Sequence, residues 1–272
     1  MSSPYSSSSL EGKIAVVTGA AQGIGEATAR LFLARGAEGV VLVDRNAEKG
    51  RAVAAELGGK ALFVETDLAD PAAVARVMPA ADARFGRVDI LANVAGLTDR
   101  GSILDTHLAL FDRMFAINVR APFFLIQDAL KLMQRENRGG AIVNILSVNA
   151  YVGSPLLAAY SASKGALLTL TKNVANAVNQ QRIRCNGIVL GWVDTPGEHA
   201  VLKRFHGAEE GWLERAEAAR PFGKLLKPED VARVIGFLAS DESAPMTGSV
   251  LDYEQTVFGG GGGGPSAYPG KG

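Results

Sequence analysis

The chain has 272 residues, 47% of them hydrophobic, which is enough for one large α/β domain or two small ones with a sizeable core. Its 28 basic and 28 acidic side chains cancel, which argues against a nucleic-acid or anionic-membrane partner. No apolar stretch is long enough to span a membrane, and the single cysteine, Cys185, cannot form an intrachain disulfide and lies in an apolar run that reads as buried.

Residues 1–10 are serine-rich, lack the apolar core of a signal peptide, and read as a disordered segment, so a reducing compartment, most simply the cytoplasm, is expected. Residues 14–18 predict a short buried strand. Thr18-Gly19-Ala20-Ala21-Gln22-Gly23-Ile24-Gly25 follows, then an amphipathic helix over 24–35, stopped by Gly36. Glycines at 19, 23 and 25 allow a tight turn and a close approach of phosphate to the backbone. The helix start then offers free N–H groups and a partial positive charge to a pyrophosphate. Glycines also serve plain turns, but here a strand precedes and a helix follows, as a dinucleotide loop requires.

A second strand over 40–43 ends in Asp44, nineteen residues beyond Gly25, near the place of an acid that binds the adenosine ribose. The other reading of Asp44 is an acid at the start of the helix that begins near Asn46. A third strand over 61–65 leads to Asp67, which either bonds the adenine edge or helps cap a helix over 71–85, with Asp70 the better cap. A fourth strand over 88–92 runs into Asn93-Val94-Ala95-Gly96, whose small residues let a ligand pass near the backbone. A long helix over 108–135 carries Asn118, an asparagine of the solvated or packing kind, and a kink at Pro122 is expected.

A fifth strand over 141–146 ends at Ser147. The next helix, to about residue 178, bears Tyr160 and Lys164, four apart and hence on one face. A phenol ordinarily ionises near pH ~10, and a neighbouring ammonium favours the phenolate. A hydroxyl facing a Tyr–Lys pair is therefore a proton-transfer arrangement, although the same spacing serves ordinary amphipathic helices. A sixth strand covers 184–189. Residues 191–221 have no clean period, and a long irregular insertion in a compact domain reads as a lid. Its histidines lack metal-ligand spacing, so no metal is assigned. A helix over 229–239 and a strand over 250–253 complete the domain, which spans residues 11–258, and the glycine-rich tail over 259–272 reads as flexible.

Alternating strands and helices predict a doubly wound, Rossmann-type α/β domain with about seven parallel strands and helices on both faces. Ligand belongs at the strand carboxyl ends, where Thr18, Asp44, Asn93, Ser147 and Gly191 converge.

With those motifs in that order, the chain resembles the short-chain dehydrogenase/reductase family over about residues 11–252. The resemblance implies an Asn118-Ser147-Tyr160-Lys164 tetrad. Tyr160 would be the acid/base, Ser147 would hold the substrate oxygen, and Lys164 would bind the nicotinamide ribose and act on the tyrosine. Asn118 would anchor a water in a proton relay. The implied cofactor contacts are Gly19, Gln22, Gly23, Ile24 and Gly25 at the phosphates and Asp44 and Arg45 at the adenosine ribose. Asp67 and Leu68 would meet the adenine, and Asn93, Ala95 and Gly96 would lie along the path between. Val193 and Thr195, with Tyr160 and Lys164, would meet the nicotinamide. Substrate contacts are expected from Ser147, Asn149, Tyr160, Trp192 and His199, which together suit a polyol or sugar.

Three departures from the family pattern stand out: Asn93-Val94 for a double asparagine, Leu190-Gly191 for Pro-Gly, and Asp252-Tyr-Glu-Gln for Asp-Gly-Gly. The expected activity is NAD-dependent interconversion of a secondary alcohol and a ketone. Gln22 and Asp44 favour NAD over NADP, and Arg45 is expected to stack on the adenine or face solvent. Alternatives are a 3-oxoacyl thioester reductase, or a nucleotide-binding regulatory protein without turnover. A homotetramer is expected from the resemblance and from surplus apolar residues on the helix over 108–135.

Overall fold

The computed structural model describes residues 9–257. The glycine-rich tail and most of the serine-rich N-terminal segment lie outside the described residues. Leu10, assigned to that segment from sequence, is fully buried, and its N–H donates to the Arg35 carbonyl at 2.8 Å, so the folded domain takes it in.

Among the described residues seven parallel strands form one sheet. In chain order they are β1 (Ile14–Thr18), β2 (Gly39–Asp44), β3 (Ala61–Glu65), β4 (Ile90–Asn93), β5 (Gly140–Ser147), β6 (Ile183–Leu190) and β7 (Val250–Tyr253), and across the sheet the order is β3-β2-β1-β4-β5-β6-β7. Successive strand residues point to opposite faces. Val16, Val41, Leu91 and Ile142 meet one helix layer, while Val17, Leu42, Ala92 and Val143 meet the other. Both faces are buried, which is why the strands read as continuous apolar runs rather than alternating ones. The order reverses between β1 and β4, and in open sheets of this kind ligands bind over the strand carboxyl ends at such a switch point.

On one face α1 (Gly23–Ala34) packs against α10 (Pro228–Ala239) through Phe32, Ile235 and Leu238. The helix α2 (Ala47–Leu57), capped by the Asn46 side chain, lies beside it. The predicted helix over 71–85 is two pieces, α3 (Pro71–Val74) and α4 (Val77–Phe85). Pro79 explains the break: it has no N–H and its ring clashes with a carbonyl four residues back, so it fits only in the first turn of a new helix.

The predicted helix over 108–135 is also interrupted. Between α5 (Leu108–Phe115) and α6 (Ala121–Glu136) the turn Ala116–Arg120 is π-helical, with the Ala121 N–H reaching back to the Ala116 carbonyl. Pro122 cannot donate to the Asn118 carbonyl, which favours the wider turn one step earlier. The helix α7 (Ala158–Val178) runs as expected.

The segment read as an irregular lid is largely helical, with α8 (Pro196–His206) and α9 (Trp212–Ala218). Thr195 caps α8 by accepting from the Glu198 N–H at 3.1 Å, and Pro196 occupies its first position.

Candidate active site

A cavity of about 710 Å³ lies over the carboxyl ends of the central strands. At one side is the glycine-rich turn. Gly19 has φ +70°, and a Cβ there would meet the Ala95 backbone at 3.1 Å. A Cβ on Gly25 would lie 2.2 Å from the Gly19 carbonyl oxygen, so α1 and the turn pack backbone to backbone. Gln22 precedes α1 but its side chain makes no cap, which leaves the N–H groups of the first helical turn directed at the cavity. Thr18, at the start of the turn, ties it to the end of β4: its hydroxyl accepts from the N–H groups of Val94 at 2.9 Å and Ala95 at 3.0 Å.

Asp44 ends β2 with both carboxylate oxygens engaged. One accepts from the Ala21 N–H at 3.1 Å and the other from the Asn46 N–H at 2.9 Å. The acid thus joins the two loops it sits between, and each oxygen keeps further accepting capacity. Arg45 lines the same end of the cavity. So does Lys49, whose Nζ donates to Gln22 Oε1 at 2.9 Å. Asp67 and Leu68 line it as well. Burial alone would raise the Asp67 carboxyl, but the Ala69 N–H and the Arg113 guanidinium outweigh it and hold its pKa below the usual carboxylate value.

At the other side, three strand spacings from β2 to β5 or roughly 14 Å away, Ser147, Tyr160 and Lys164 line the cavity. The Ser147 hydroxyl accepts from the Asn149 N–H at 3.2 Å. Lys164 is 3% exposed, and its Nζ donates to the Ile145 carbonyl at 2.8 Å and lies 5.8 Å from the Tyr160 ring centroid. Burial brings its pKa down to about 8. Gly96 passes beside it: a Cβ there would come within 3.5 Å of Lys164 Nζ and 3.7 Å of Asn118 Oδ1.

Four residues assigned to the site from sequence do not line the cavity. Asn93 is buried in the sheet, where its amide donates to Asn144 Oδ1 at 2.9 Å; it faces the neighbouring strand, and the small residues after it face the cavity. Asn118 is fully buried and brackets one residue: Oδ1 accepts from the Leu97 N–H at 2.8 Å while Nδ2 donates to the Leu97 carbonyl at 3.0 Å. The same amide nitrogen donates to Ser163 Oγ at 3.0 Å. Asn149 reaches the site through Ser147, its Nδ2 lying 3.5 Å from the hydroxyl. His199 turns away on α8 to Asp194 Oδ1 at 2.5 Å and packs edge-on against Trp212.

Behind the lid residues that line the cavity lies a set of ion pairs. Lys227 Nζ lies 2.8 Å from both Asp194 and Glu217. Glu198 accepts from Trp192 Nε1 at 3.0 Å and from Arg100 at 3.4 Å, which ties the lid to the loop after β4. Trp192, Val193 and Thr195 line the cavity, with Trp192 stacked on Trp212 at 6.0 Å. Two of the departures noted in the sequence meet here, because a Cβ on Gly191 would fall 1.4 Å from Glu254 Oε2. Gly191 is the residue that leaves room for the altered end of β7. Asp252, the first residue of that altered stretch, accepts from the Tyr151 hydroxyl at 2.8 Å.

Of the groups that matter here, sequence reasoning missed Lys49, Thr18 as a tether, and the Ile145 carbonyl. Thr18 was visible as a polar residue ending an apolar strand. Lys49 carried a weaker signal, a cation one turn into the helix after Asp44. The backbone carbonyl carried none.

An extended dinucleotide suits this cavity. It has a glycine-rich turn at a helix start, an anchored carboxylate at one side and a hydroxyl, phenol and buried amine at the other. Among the described residues no group of three or more His, Cys, Asp or Glu side chains is placed to hold a metal, and no helix is long and apolar enough to cross a membrane.

Comparison with known proteins agrees. Residues 19–255 match a family model described as enoyl-(acyl carrier protein) reductase. An uncharacterised oxidoreductase of Thermotoga maritima is 36% identical, the match covering 90% of this chain and 97% of the relative. A sorbitol dehydrogenase of Cereibacter sphaeroides is 37% identical, covering 86% and 93%. The solved structure of a 3-ketoacyl-(acyl-carrier-protein) reductase from Brucella melitensis, complexed with NADH, is 33% identical with a TM-score of 0.81 and covers 91% of this chain and 98% of that one.

Proposed function

This chain belongs to the short-chain dehydrogenase/reductase family of oxidoreductases, and we propose that it interconverts a secondary alcohol and a ketone, with NAD preferred and a polyol or sugar as substrate. The observation that carries this reading is the convergence of Ser147, Tyr160 and Lys164 on one cavity whose far side is the glycine-rich turn and Asp44.

The α1 start and residues 22–25 would hold a pyrophosphate. Asp44 would accept from a ribose hydroxyl, and Asp67 and Leu68 would flank the adenine. Val193 and Thr195 would meet the nicotinamide, which when bound supplies the hydride chemistry. The remaining steps belong to the chain. Ser147, oriented by the Asn149 N–H, donates to the substrate oxygen. Tyr160 takes the alcohol proton, or returns it in the reverse direction. Lys164, fixed by the Ile145 carbonyl, places a cation beside the phenol and favours its charged form. Asn118 acts at one remove by holding the loop through Leu97.

The polyol reading rests on the sorbitol dehydrogenase relative and on the polar lid residues Trp192 and Glu198. A second reading, reduction of a 3-oxoacyl thioester, is supported by the 3-ketoacyl reductase neighbour. Absorbance of reduced nicotinamide over a panel of polyols, sugars, hydroxy acids and 3-oxoacyl thioesters separates the two. Turnover of the thioester alone overturns the polyol assignment, and no turnover of any member overturns both.

A homotetramer belongs to the same proposal. Phe123 and Phe124 on α6 are each 45% exposed, and Leu108 on α5 is 73% exposed, although Leu125 is buried inside the subunit. Surplus apolar surface of this kind is normally covered by another subunit. A monomer mass by light scattering at micromolar concentration would refute it.

A further inference from the structure

The side chains around Asp44 form a connected ring. The Asn46 N–H donates to Asp44, the Asn46 side chain accepts from the Lys49 N–H at 3.0 Å, and the Lys49 ammonium donates to Gln22 Oε1 at 2.9 Å. Gln22 is neutral, so this tether positions the ammonium without cancelling its charge. Among the described residues no carboxylate lies within ion-pair distance of Lys49 or of Arg45, and both line the cavity beside Asp44. Asp67, the next acid along the wall, is committed to Arg113. Two cations thus flank one carboxylate at the adenosine end, and that carboxylate already holds two backbone N–H groups.

We infer that Lys49 is a specificity-determining residue that admits a 2′-phosphate at the adenosine ribose, so that the protein accepts 2′-phosphorylated dinucleotides alongside unphosphorylated ones. The inference rests on the dinucleotide reading of the cavity. Asp44 favours a free 2′-hydroxyl, which it can accept from. A phosphate monoester carries between one and two negative charges at neutral pH. Lys49 can leave the neutral amide of Gln22, a weak partner, for such a group, and the charge-assisted bond gained is the stronger one. The long, flexible lysine stem lets the ammonium make that move while its backbone stays fixed by the Asn46 cap. Discrimination between the two cofactor types is then set by the opposition of Asp44 and Lys49 and not by Asp44 alone.

The test is calorimetric binding of 5′-AMP and 2′,5′-ADP, which differ only in the 2′-phosphate, to the full chain and to Lys49→Gln and Lys49→Arg, with circular dichroism as a folding control. Binding to the protein alone needs no turnover. In Lys49→Gln the affinity for 2′,5′-ADP relative to 5′-AMP should fall about fivefold, the size of one partly exposed charge contact. Lys49→Arg should keep the ratio within about twofold of the unmutated protein, since it keeps the charge. An unchanged ratio in Lys49→Gln overturns the role of Lys49 and leaves the dinucleotide reading standing. Failure of 5′-AMP to bind the unmutated chain overturns both.

Discussion

The two walls of the cavity are built by different means. The wall under the glycine-rich turn is backbone: Gly25 against Gly19, Thr18 holding Val94 and Ala95, and Asp44 joined to the N–H groups of Ala21 and Asn46. The lid wall is braced from behind by side chains: Lys227 between Asp194 and Glu217, and Glu198 between Trp192 and Arg100. A backbone wall has few adjustable parts and fails abruptly when one atom is added. A side-chain wall, with Lys227 38% exposed, is screened by water and yields by degrees. In the proposed function the rigid wall would face the dinucleotide, which does not change, and the adjustable wall would face the substrate.

The largest expected effect lies between the walls. Tyr160→Phe keeps the ring and removes the proton carrier, so kcat should fall at least 10³-fold while dinucleotide affinity stays within about twofold. Steady-state kinetics and fluorescence titration read the two quantities, and substantial residual turnover would remove Tyr160 from its assigned role.

Gly25→Ala breaks the rigid wall. Its methyl would overlap the Gly19 carbonyl, and the resulting shift of α1 should cost about 1–3 kcal/mol of stability and lower dinucleotide affinity at least tenfold. A variant of wild-type melting temperature and affinity would show that the turn is looser than its geometry implies.

The pH dependence separates chemistry from either wall. In the free enzyme Lys164 loses its proton as pH rises through about 8. Below that value the cation beside Tyr160 is fully present, and above it the cation is lost. A limb of kcat/KM should therefore fall above about pH 8 and should be absent in Lys164→Arg at whatever activity that variant keeps. Stability moves the other way. Between pH 8 and the unperturbed value of 10.5 the unfolded chain binds the extra proton, so this group's contribution rises with pH over that window. The difference in unfolding free energy between the unmutated protein and Lys164→Met should track that rise in denaturant titrations.

The smallest effect tests the lid. Lys227→Met removes both ion pairs and should raise KM about threefold with kcat and melting temperature little changed, as expected for partly exposed pairs. Equal hydrogen-exchange protection of the lid in both proteins would show that those pairs do not hold it.

The sheet could be read from sequence because its signals are local. Strands buried on both faces appear as apolar runs, and Thr18-Gly19 through Gly25 carries its own turn, helix start and packing constraint. Ser147, Tyr160 and Lys164 were readable for the same reason, since a strand end and a four-residue helical spacing suffice to bring them together. What was missed depended on distant parts of the chain or on cues left unweighed. Pro79 divided a helix that the apolar pattern joined. Thr195-Pro196 with Glu198 is a helix-start pattern that the mixed composition of residues 191–221 concealed. Asn93 and His199 have the chemistry of site residues, but Asn93 is taken up by Asn144 on the neighbouring strand and His199 by Asp194 and Trp212. The pairing of Gly191 with Glu254 joins positions sixty-three residues apart, and no pattern within either stretch announces it.

Asn118 offers its donor and its acceptor to the two peptide groups of Leu97, as a neighbouring strand would. A helix side chain thus acts as a one-residue rung of sheet, and it fixes the loop that carries Gly96 past Lys164. Such a rung admits almost no sequence drift. Aspartate has the right shape but lacks the two N–H donors, glutamine has them a methylene too far out, and leucine has neither. Mutational sampling of this family member should therefore find position 118 nearly closed even though the residue never reaches the cavity, whereas the lid positions that do reach it should be the open ones.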